Sequence, residues 1–278
     1  MSEITVWNQR LSCEWLSPAN TDYLRSLPPT MPSVEWVWQE MDRVWQHYGL
    51  DNCSPLREQA IPDFYAHPVW LMNGIFTQID PTSVQHRIAI ARRLAELAVK
   101  NIADYGGGFG VLAMTLAQTI PDATIVIIEP YPSLVGIQRL KDESRIRFAT
   151  ELDPSGYDAV VAQDVLEHVE DPVLLAHELA SAVREDGLAL FANCFYPVIQ
   201  CHLPTTFHLR HTFNWVMQAM GLSHLGVVEG AEHAQIFRRT GSLDLDKARR
   251  AERVSRILGP LLNVMREAAS RITRVSHR

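Results

Sequence analysis

The segment that most constrains the fold of this chain is the glycine-rich stretch at residues 101–110, NIADYGGGFG. A short apolar run ends in Asp104, glycines follow at positions 106, 107, 108 and 110, and helical spacing begins at Val111. Glycine admits positive φ angles and has no Cβ, so a glycine turn between strand and helix lets backbone approach a nucleotide-like ligand. The segment therefore predicts an α/β fold with a ligand site at this turn.

A second acid strengthens this prediction. Glu129 lies 25 residues after Asp104 and ends the next apolar run, at 124–128. In nucleotide-binding folds, an acid at about this distance accepts hydrogen bonds from a ribose diol. We therefore expect Asp104 and Glu129 at the ends of the first two strands, facing solvent next to the glycine turn.

From residue 100 onward, strand and helix patterns alternate. We predict five parallel strands, intervening helices and a closing pair of strands too tightly linked to be parallel. The expected fold is α/β, with a seven-stranded mostly parallel sheet, helices on both faces and a terminal antiparallel hairpin. The predicted strands are 101–105, 124–129, 145–149, 157–163, 187–194, 223–229 and 233–239, with helices at 109–119, 132–141, 171–184 and 212–220.

The first hundred residues have a different composition, because they contain six of the seven tryptophans. Apolar residues recur with helical spacing over 33–48 and again over 83–99. Most of these tryptophans are expected in core packing, and one or two in an aromatic lid over a ligand. We predict a helical N-terminal cap at 1–95, a ligand-binding domain at 96–240 and a basic helical extension at 241–278.

Composition narrows the class of protein. With 47% hydrophobic and 21% charged residues, the chain is typical of a globular protein. No apolar run approaches the roughly 20 residues that cross a bilayer. The start MSEITVWNQR lacks the pattern of a secretion signal, and four cysteines form no disulfide framework. We therefore expect cytoplasmic residence with reduced thiols.

Charge is unevenly distributed along the chain. Residues 247–278 hold nine Lys or Arg and two acids, so this segment carries +7 and the remaining chain −14. The acidic body argues against nucleic acid as the main partner. The sequence predicts one or two C-terminal helices, broken at Gly259-Pro260, with an apolar stripe. We expect that stripe to form a homodimer contact or to pack on the body, with attachment to an anionic partner as the alternative.

Four blocks together resemble Rossmann-like, class I S-adenosylmethionine (SAM)-dependent methyltransferases. They are the glycine turn, Glu129, the run YDAVVAQDVLEHVEDP at 157–172 and the run REDGLALFANCF at 184–195. The resemblance covers roughly residues 95–240, and the blocks follow the expected order. DVLEHVEDP is most similar to the small-molecule branch that includes the ubiquinone-biosynthesis O-methyltransferases. The chain has no Asn/Asp-Pro-Pro-aromatic motif after its fourth strand, where amino-methylating enzymes carry it.

The resemblance implies the cofactor SAM and a set of residues that bind it. Asp104 and the glycines would hold the methionine part, Glu129 the ribose hydroxyls, and Asp164 would lie beside the cofactor and face the acceptor. The adenine would lie near 150–152. The cofactor residues so implied are Asp104, Tyr105, Gly106, Gly107, Gly108, Glu129 and Asp164.

A hydroxyl acceptor must lose a proton during methyl transfer, and histidine is the usual base. The segment CHLPTTFHLRH at 201–211 follows the fifth strand, at the sheet edge where substrates bind in open α/β sheets. Its Phe-His and following Arg are similar to loops in methyltransferases of polysaccharide gene clusters. We expect His208 to be the base, then His168 and His202; His168 could instead fix the turn after the fourth strand, and His202 could form only structural hydrogen bonds.

Alternatives remain open at this point. A divalent cation could be held by Asp164, Glu167 and His168, or by the Cys and His residues of 194–211, although no zinc spacing is present; we predict no metal. The expected activity is methylation of a hydroxyl on a small molecule or sugar. N- or C-methylation, a silent binding subunit, a nicotinamide dehydrogenase and a nucleic-acid methyltransferase are the alternatives.

Overall fold

A computed structural model describes residues 2–52, 56, 60–154 and 156–276, with side chains up to Arg266. It has nine strands and ten α-helices over these residues. The strands are β1 Glu3–Val6, β2 Gln9–Ser12, β3 Asn101–Tyr105, β4 Thr124–Ile128, β5 Ile146–Ala149, β6 Tyr157–Gln163, β7 Val183–Ala192, β8 Leu222–Val228 and β9 Ala231–Arg239. The helices are α1 Pro18–Ser26, α2 Val34–His47, α3 Ala60–Ala66, α4 Pro68–Ile79, α5 Pro81–Glu96, α6 Val111–Thr119, α7 Leu134–Leu140, α8 Pro172–Ala182, α9 Phe213–Met220 and α10 Leu245–Ser276.

The main sheet has seven strands in the order β5-β4-β3-β6-β7-β9-β8. Strands β3 to β7 pair in parallel, whereas β9 pairs antiparallel with both β7 and β8. The predicted fold class is therefore confirmed. Because β3 and β6 are central neighbours whose chain connections leave in opposite directions, their carboxyl ends form a crevice of the kind that binds ligands in open α/β sheets.

Helices cover the sheet on both faces, so the central strands are buried over most of their length rather than at alternate residues. One buried cluster centres on Ile102, Ile125 and Leu190 with α5 and α6, and a second centres on Val160, Phe191 and Phe213 with α8 and α9. A third cluster belongs to the N-terminal helices and includes Trp45 and Phe64. The third cluster also takes in Phe109 and Ile199, so the cap packs directly on the glycine turn and on the loop after β7.

Two predictions about local structure were wrong. Residues 3–12 form an antiparallel hairpin, although the N-terminal region was expected to be helical. The C-terminal helix α10 runs unbroken through Gly259-Pro260. Gly259 lies against the backbone of His208, where an added Cβ would clash with the His208 carbonyl oxygen. Glycine is therefore needed there for close packing rather than as a cap, and the Pro260 ring lies on the exposed side of the helix.

Among the helices that the structure describes, none combines the length and the apolar character required to cross a bilayer. Cys13, Cys194 and Cys201 are free thiols, and Cys53 lies outside the described residues.

Candidate active site

A cavity of about 1720 Å³ lies at the carboxyl ends of the parallel strands. Its floor consists of the residues that follow β3, β4, β6 and β7, and its roof consists of cap residues from α2 to α5. This arrangement agrees with the rule that ligands bind outside the carboxyl ends of an open parallel sheet. The main lining segments are 104–109, 129–134, 163–165, 193–194 and 196–199, with His202, His168, Tyr65, Trp70, His86 and His233.

The glycine turn has the geometry of a ligand cradle. Gly106 and Gly108 have φ angles of 70° and 47°, which favour glycine. At Gly107 an added Cβ would lie 2.6 Å from Asp104 Oδ2, whereas at Gly108 it would meet only the Gly106 carbonyl oxygen, at 3.8 Å. The turn is therefore closed towards the protein and open towards the cavity, so backbone amides can approach a ligand there.

Asp104 lies beneath this turn and is only 2% exposed. Its Oδ2 atom is buried without a hydrogen-bond partner. Burial, together with the nearby Glu129 carboxylate, raises the pKa of Asp104 to about 7. An unpartnered carboxylate oxygen facing a glycine cradle fits a positively charged group such as the ammonium of SAM.

Glu129 stands beside the same turn. Its Oε2 accepts a hydrogen bond from the Gly108 amide at 3.0 Å, and its Oε1 accepts one from the Tyr131 amide at 3.1 Å. Burial raises its pKa, although these two amides oppose the shift. A carboxylate held by two backbone amides has a fixed orientation, which suits it to accept hydrogen bonds from a ribose diol.

Asp164 follows β6 and has a φ of 54°, a left-handed conformation that is rare outside glycine. Its amide donates to the Ala192 carbonyl at 2.8 Å. Its side chain borders the cavity, where enclosure raises its pKa while Gln163, His202 and His86 oppose that shift. The left-handed backbone places this side chain at the cavity wall, within electrostatic range of His202 and His86.

Two of the three predicted catalytic histidines, His168 and His202, lie together in the cavity wall. Their ring centroids are 4.8 Å apart. His168 Nδ1 donates to the Cys201 carbonyl at 3.0 Å, and His202 Nδ1 donates to the Tyr196 carbonyl at 3.1 Å. Since each Nδ1–H is used in this way, each neutral ring keeps its proton-accepting lone pair on Nε2.

The two histidines differ in basicity. Burial and the neighbouring His202 lower the pKa of His168 to about 3, so it remains neutral and is a weak base. Burial also lowers the pKa of His202, but the Tyr196 carbonyl, the Asp164 carboxylate and the Cys194 carbonyl oppose that shift. His202 is therefore the stronger base of the pair.

Glu167 completes a group with these histidines. Its side chain is fully buried, its Oε1 accepts from the Cys194 amide at 2.7 Å, and its Oε2 has no partner. Ligand atoms of Glu167, His168 and His202 lie within 4.8 Å of one another. Such a group can hold a proton or a divalent cation, and its two histidines border the cavity.

The third predicted base, His208, does not line this cavity. It lies in the short 3-10 helix Pro204–Leu209, beneath α10, with Nε2 at 3.6 Å from Glu252 Oε1. Its carbonyl accepts hydrogen bonds from the hydroxyls of Thr212 and Ser255. The position indicates a packing role, because the His208 ring is buried and is not among the described residues that line the cavity.

Glu252 makes this contact sensitive to pH. Although burial alone would raise its pKa, His208, Arg249 and Arg256 lower it to about 2, from an ordinary 4.5. Its stabilising effect is therefore complete above the ordinary pKa and is lost as pH falls towards 2. We expect Glu252→Gln to destabilise the protein by about 1–3 kcal/mol at pH 7, with a smaller difference at pH 3. Thermal unfolding at both pH values tests this, and an equal difference at both would contradict it.

Several cavity residues were not predicted from the sequence. Tyr65 of α3 stacks on Tyr131, with ring centroids 5.8 Å apart and planes 1° apart, and Trp70 of α4 packs against Tyr65. Asn193, which follows β7, has both side-chain polar atoms buried without partners. His86 of α5 and His233 of β9 face each other, with ring centroids 4.6 Å apart. Of these residues, only Asn193 had a sequence signal for a site residue, namely its position directly after a strand. Residues 150–152, which were predicted to lie near the adenine, do not line the cavity.

Comparison with known proteins agrees with this geometry. Residues 84–241 match the family model of a methyltransferase domain. The ubiquinone biosynthesis O-methyltransferase of Yersinia enterocolitica is 23% identical over 73% of this chain and 81% of its own length. The Yersinia pestis protein of the same name is also 23% identical, over 71% and 78%.

A solved structure shares the fold. Human N-acetylserotonin methyltransferase, crystallised with SAM, superposes with a TM-score of 0.51. The two chains are 18% identical, and the match covers 74% of this chain and 67% of the human one. Together with the family match and the glycine cradle, this establishes that the chain belongs to the methyltransferase-domain family and is a class I, SAM-dependent methyltransferase.

Proposed function

We propose that this protein methylates a hydroxyl group of a small molecule or sugar, with His202 as the general base. The observation that carries this proposal is the position of His202: it lines the cavity, is oriented by the Tyr196 carbonyl and lies near Asp164. When bound, SAM supplies the methyl group as part of a sulfonium ion. The side chains need only align the acceptor oxygen with the methyl carbon and the sulfur of SAM, and remove the hydroxyl proton.

Asp104, the amides of the glycine turn and Glu129 would bind the cofactor, and Asp164 would lie where cofactor and acceptor meet. His202 Nε2 would accept the proton, and the Asp164 carboxylate would stabilise the resulting imidazolium. His168 would position the 196–202 loop through its hydrogen bond to the Cys201 carbonyl. Its low pKa makes it unsuited to accept the proton itself.

The cavity walls suggest the kind of acceptor. Aromatic and aliphatic side chains of the cap form most of the roof, and Arg87 is the one Arg or Lys side chain among the lining residues that the structure describes. Arg87 is buried and donates to the Gln78 carbonyl. An acceptor with an apolar or aromatic body and little negative charge therefore fits better than a nucleic acid.

The activity can be tested with methyl-labelled SAM and matched acceptors. We expect label transfer to a phenol or sugar hydroxyl, and none to the analogue in which that hydroxyl is replaced by hydrogen. Transfer to the corresponding amine, with none to the hydroxyl compound, would contradict O-methylation. Binding of S-adenosylhomocysteine, measured by calorimetry, separates a silent subunit from an enzyme that lacks its correct acceptor.

We further propose that residues 1–95 act as a cap that closes the acceptor side. Asp42 of α2 accepts from the Gln200 amide at 2.6 Å, which links the cap to the loop that carries His202. We expect Asp42→Ala to raise the KM for the acceptor by up to about tenfold, because one charged hydrogen bond is lost. Asp22→Ala, at an exposed position in α1, should leave that KM unchanged. Equal KM values for both variants would argue against the cap.

A further inference from the structure

Helix α10 carries an apolar surface that no described part of the chain covers. Six of the fourteen exposed large apolar side chains in the described residues belong to this one helix, so they form a patch rather than isolated exposures. Ile257 is 71% exposed, Leu261 59% and Met265 67%. The outer stripe is defined as Val254, Ile257, Leu258, Leu261, Val264 and Met265.

The outer stripe lies opposite the face with which α10 packs on the body. Ala248, Glu252, Ser255 and Gly259 are buried and recur at steps of four, three and four residues. The stripe residues follow the same helical spacing, displaced by about half a turn. The body therefore already has its contact with α10, and the stripe faces away from it.

Basic residues accompany the stripe. Lys247, Arg250 and Arg253 are exposed on the turns that lead into it, and Arg266 is exposed at its far end. Between residues 245 and 266, Asp246 is the exposed acid, since Glu252 is buried and paired with Arg249 and Arg256. An amphipathic helix with exposed apolar residues and flanking arginines has the composition of helices that lie in the interface of a bilayer.

We propose that α10 binds the surface of a membrane rich in anionic lipid, with the outer stripe inserted below the headgroups and the flanking basic residues among them. Charge complementarity favours this occupant over a second copy of the chain. If two copies paired their stripes, the arginines of both helices would come close together and repel each other. Between residues 245 and 266, Asp246 is the one exposed acid that could offset this repulsion.

This binding would place the membrane near the loop that carries His202. Asn263 Nδ2 donates to the Phe207 carbonyl at 3.3 Å, and Gly259 packs on His208, so α10 lies directly on the 3-10 helix Pro204–Leu209. That helix continues the segment that carries His202. The inference stands on the outer surface of α10 and does not depend on the proposed O-methylation.

The test is flotation of the full-length protein with vesicles of phosphatidylcholine alone or with about 30% phosphatidylglycerol. We expect binding to the anionic vesicles only, weakened by salt. The double variant Ile257→Glu with Leu261→Glu should bind at least about tenfold more weakly, as should Arg250→Gln with Arg253→Gln. The control, Leu225→Glu with Val227→Glu, places the same two charges at exposed apolar positions of β8 and should bind normally.

Unfolding is excluded as a cause if each variant retains its melting temperature and its affinity for S-adenosylhomocysteine. Absence of binding by the wild-type protein would overturn the proposal, as would equal loss in the β8 control. Light scattering can also overturn the proposal. If the wild-type protein is a dimer that does not bind vesicles, and the Ile257→Glu, Leu261→Glu variant is a monomer, the outer stripe binds a second copy of the chain.

Discussion

Replacement of His202 by alanine is expected to lower kcat by about 10²- to 10⁴-fold, the usual contribution of a general base. The affinity for S-adenosylhomocysteine should stay within about twofold, because the loss falls on the chemical step rather than on cofactor binding. Steady-state kinetics and calorimetry on the same preparation measure both quantities. The matched control is His211→Ala, which removes a histidine from the same segment outside the cavity wall.

The pH profile distinguishes a base from a structural residue. Since burial lowers the pKa of His202 below 6.5, wild-type kcat should be constant near neutrality and fall only at lower pH, where the imidazole becomes protonated. The residual activity of His202→Ala should lose this acid limb and rise with hydroxide concentration instead. An unchanged kcat in a folded His202→Ala protein would remove His202 from the mechanism.

Treatment with a chelator distinguishes a mechanism in which His202 is the general base from one in which it is a ligand of a divalent cation. Glu167, His168 and His202 could hold a divalent metal that acidifies the acceptor hydroxyl. If His202 acts as a base, dialysis against EDTA leaves kcat unchanged. If dialysis abolishes turnover and a divalent ion restores it, His202 is a ligand, and the base proposal fails.

The sequence was most informative where function depends on consecutive residues. The strand β3, the glycine turn and α6 are encoded within about twenty residues, so an apolar run, glycines and helical spacing were enough to predict them. The parallel strands were predicted for the same reason: buried strands are short continuous apolar runs.

The sequence failed where contacts are distant along the chain. His208 was expected to be the base ahead of His202, and both lie in one histidine-rich loop after β7. What separates them is the turn at Pro204–Leu209 and the contact with Glu252, 44 residues later, and no local pattern encodes that contact. Gly259-Pro260 was misleading for a related reason, since the glycine is required by packing on His208.

The N-terminal hairpin shows a different limit. Its turn places Trp7 and Asn8 at φ angles of 47° and 66°, the two positive values of a primed turn. Such turns are usually encoded by Asn-Gly or Asp-Gly, and a tryptophan at the first position gives no such indication. The cost of this conformation is offset by tertiary contacts, because Trp7 is buried and its Nε1 donates to the Pro28 carbonyl at 2.9 Å.

Glu129→Ala is expected to weaken binding of S-adenosylhomocysteine by about 10- to 150-fold, corresponding to the roughly 1.5–3 kcal/mol of a hydrogen bond to a charged group. The carboxylate is oriented by the amides of Gly108 and Tyr131. Its removal would therefore delete the proposed ribose acceptor, and it leaves the Gly108 amide without its partner. Calorimetric titration measures the change in affinity.

Glu129→Gln separates these two effects. The amide side chain keeps one acceptor oxygen for the Gly108 amide but can no longer accept from both ribose hydroxyls, so binding should fall while the turn keeps its shape. Glu185→Ala, an exposed position near the start of β7 and at the end of the strand away from the cavity, should bind as the wild type does. If Glu129→Ala melted at the wild-type temperature and bound S-adenosylhomocysteine with wild-type affinity, the carboxylate would not hold the ribose, and the cofactor would have to lie elsewhere along the crevice.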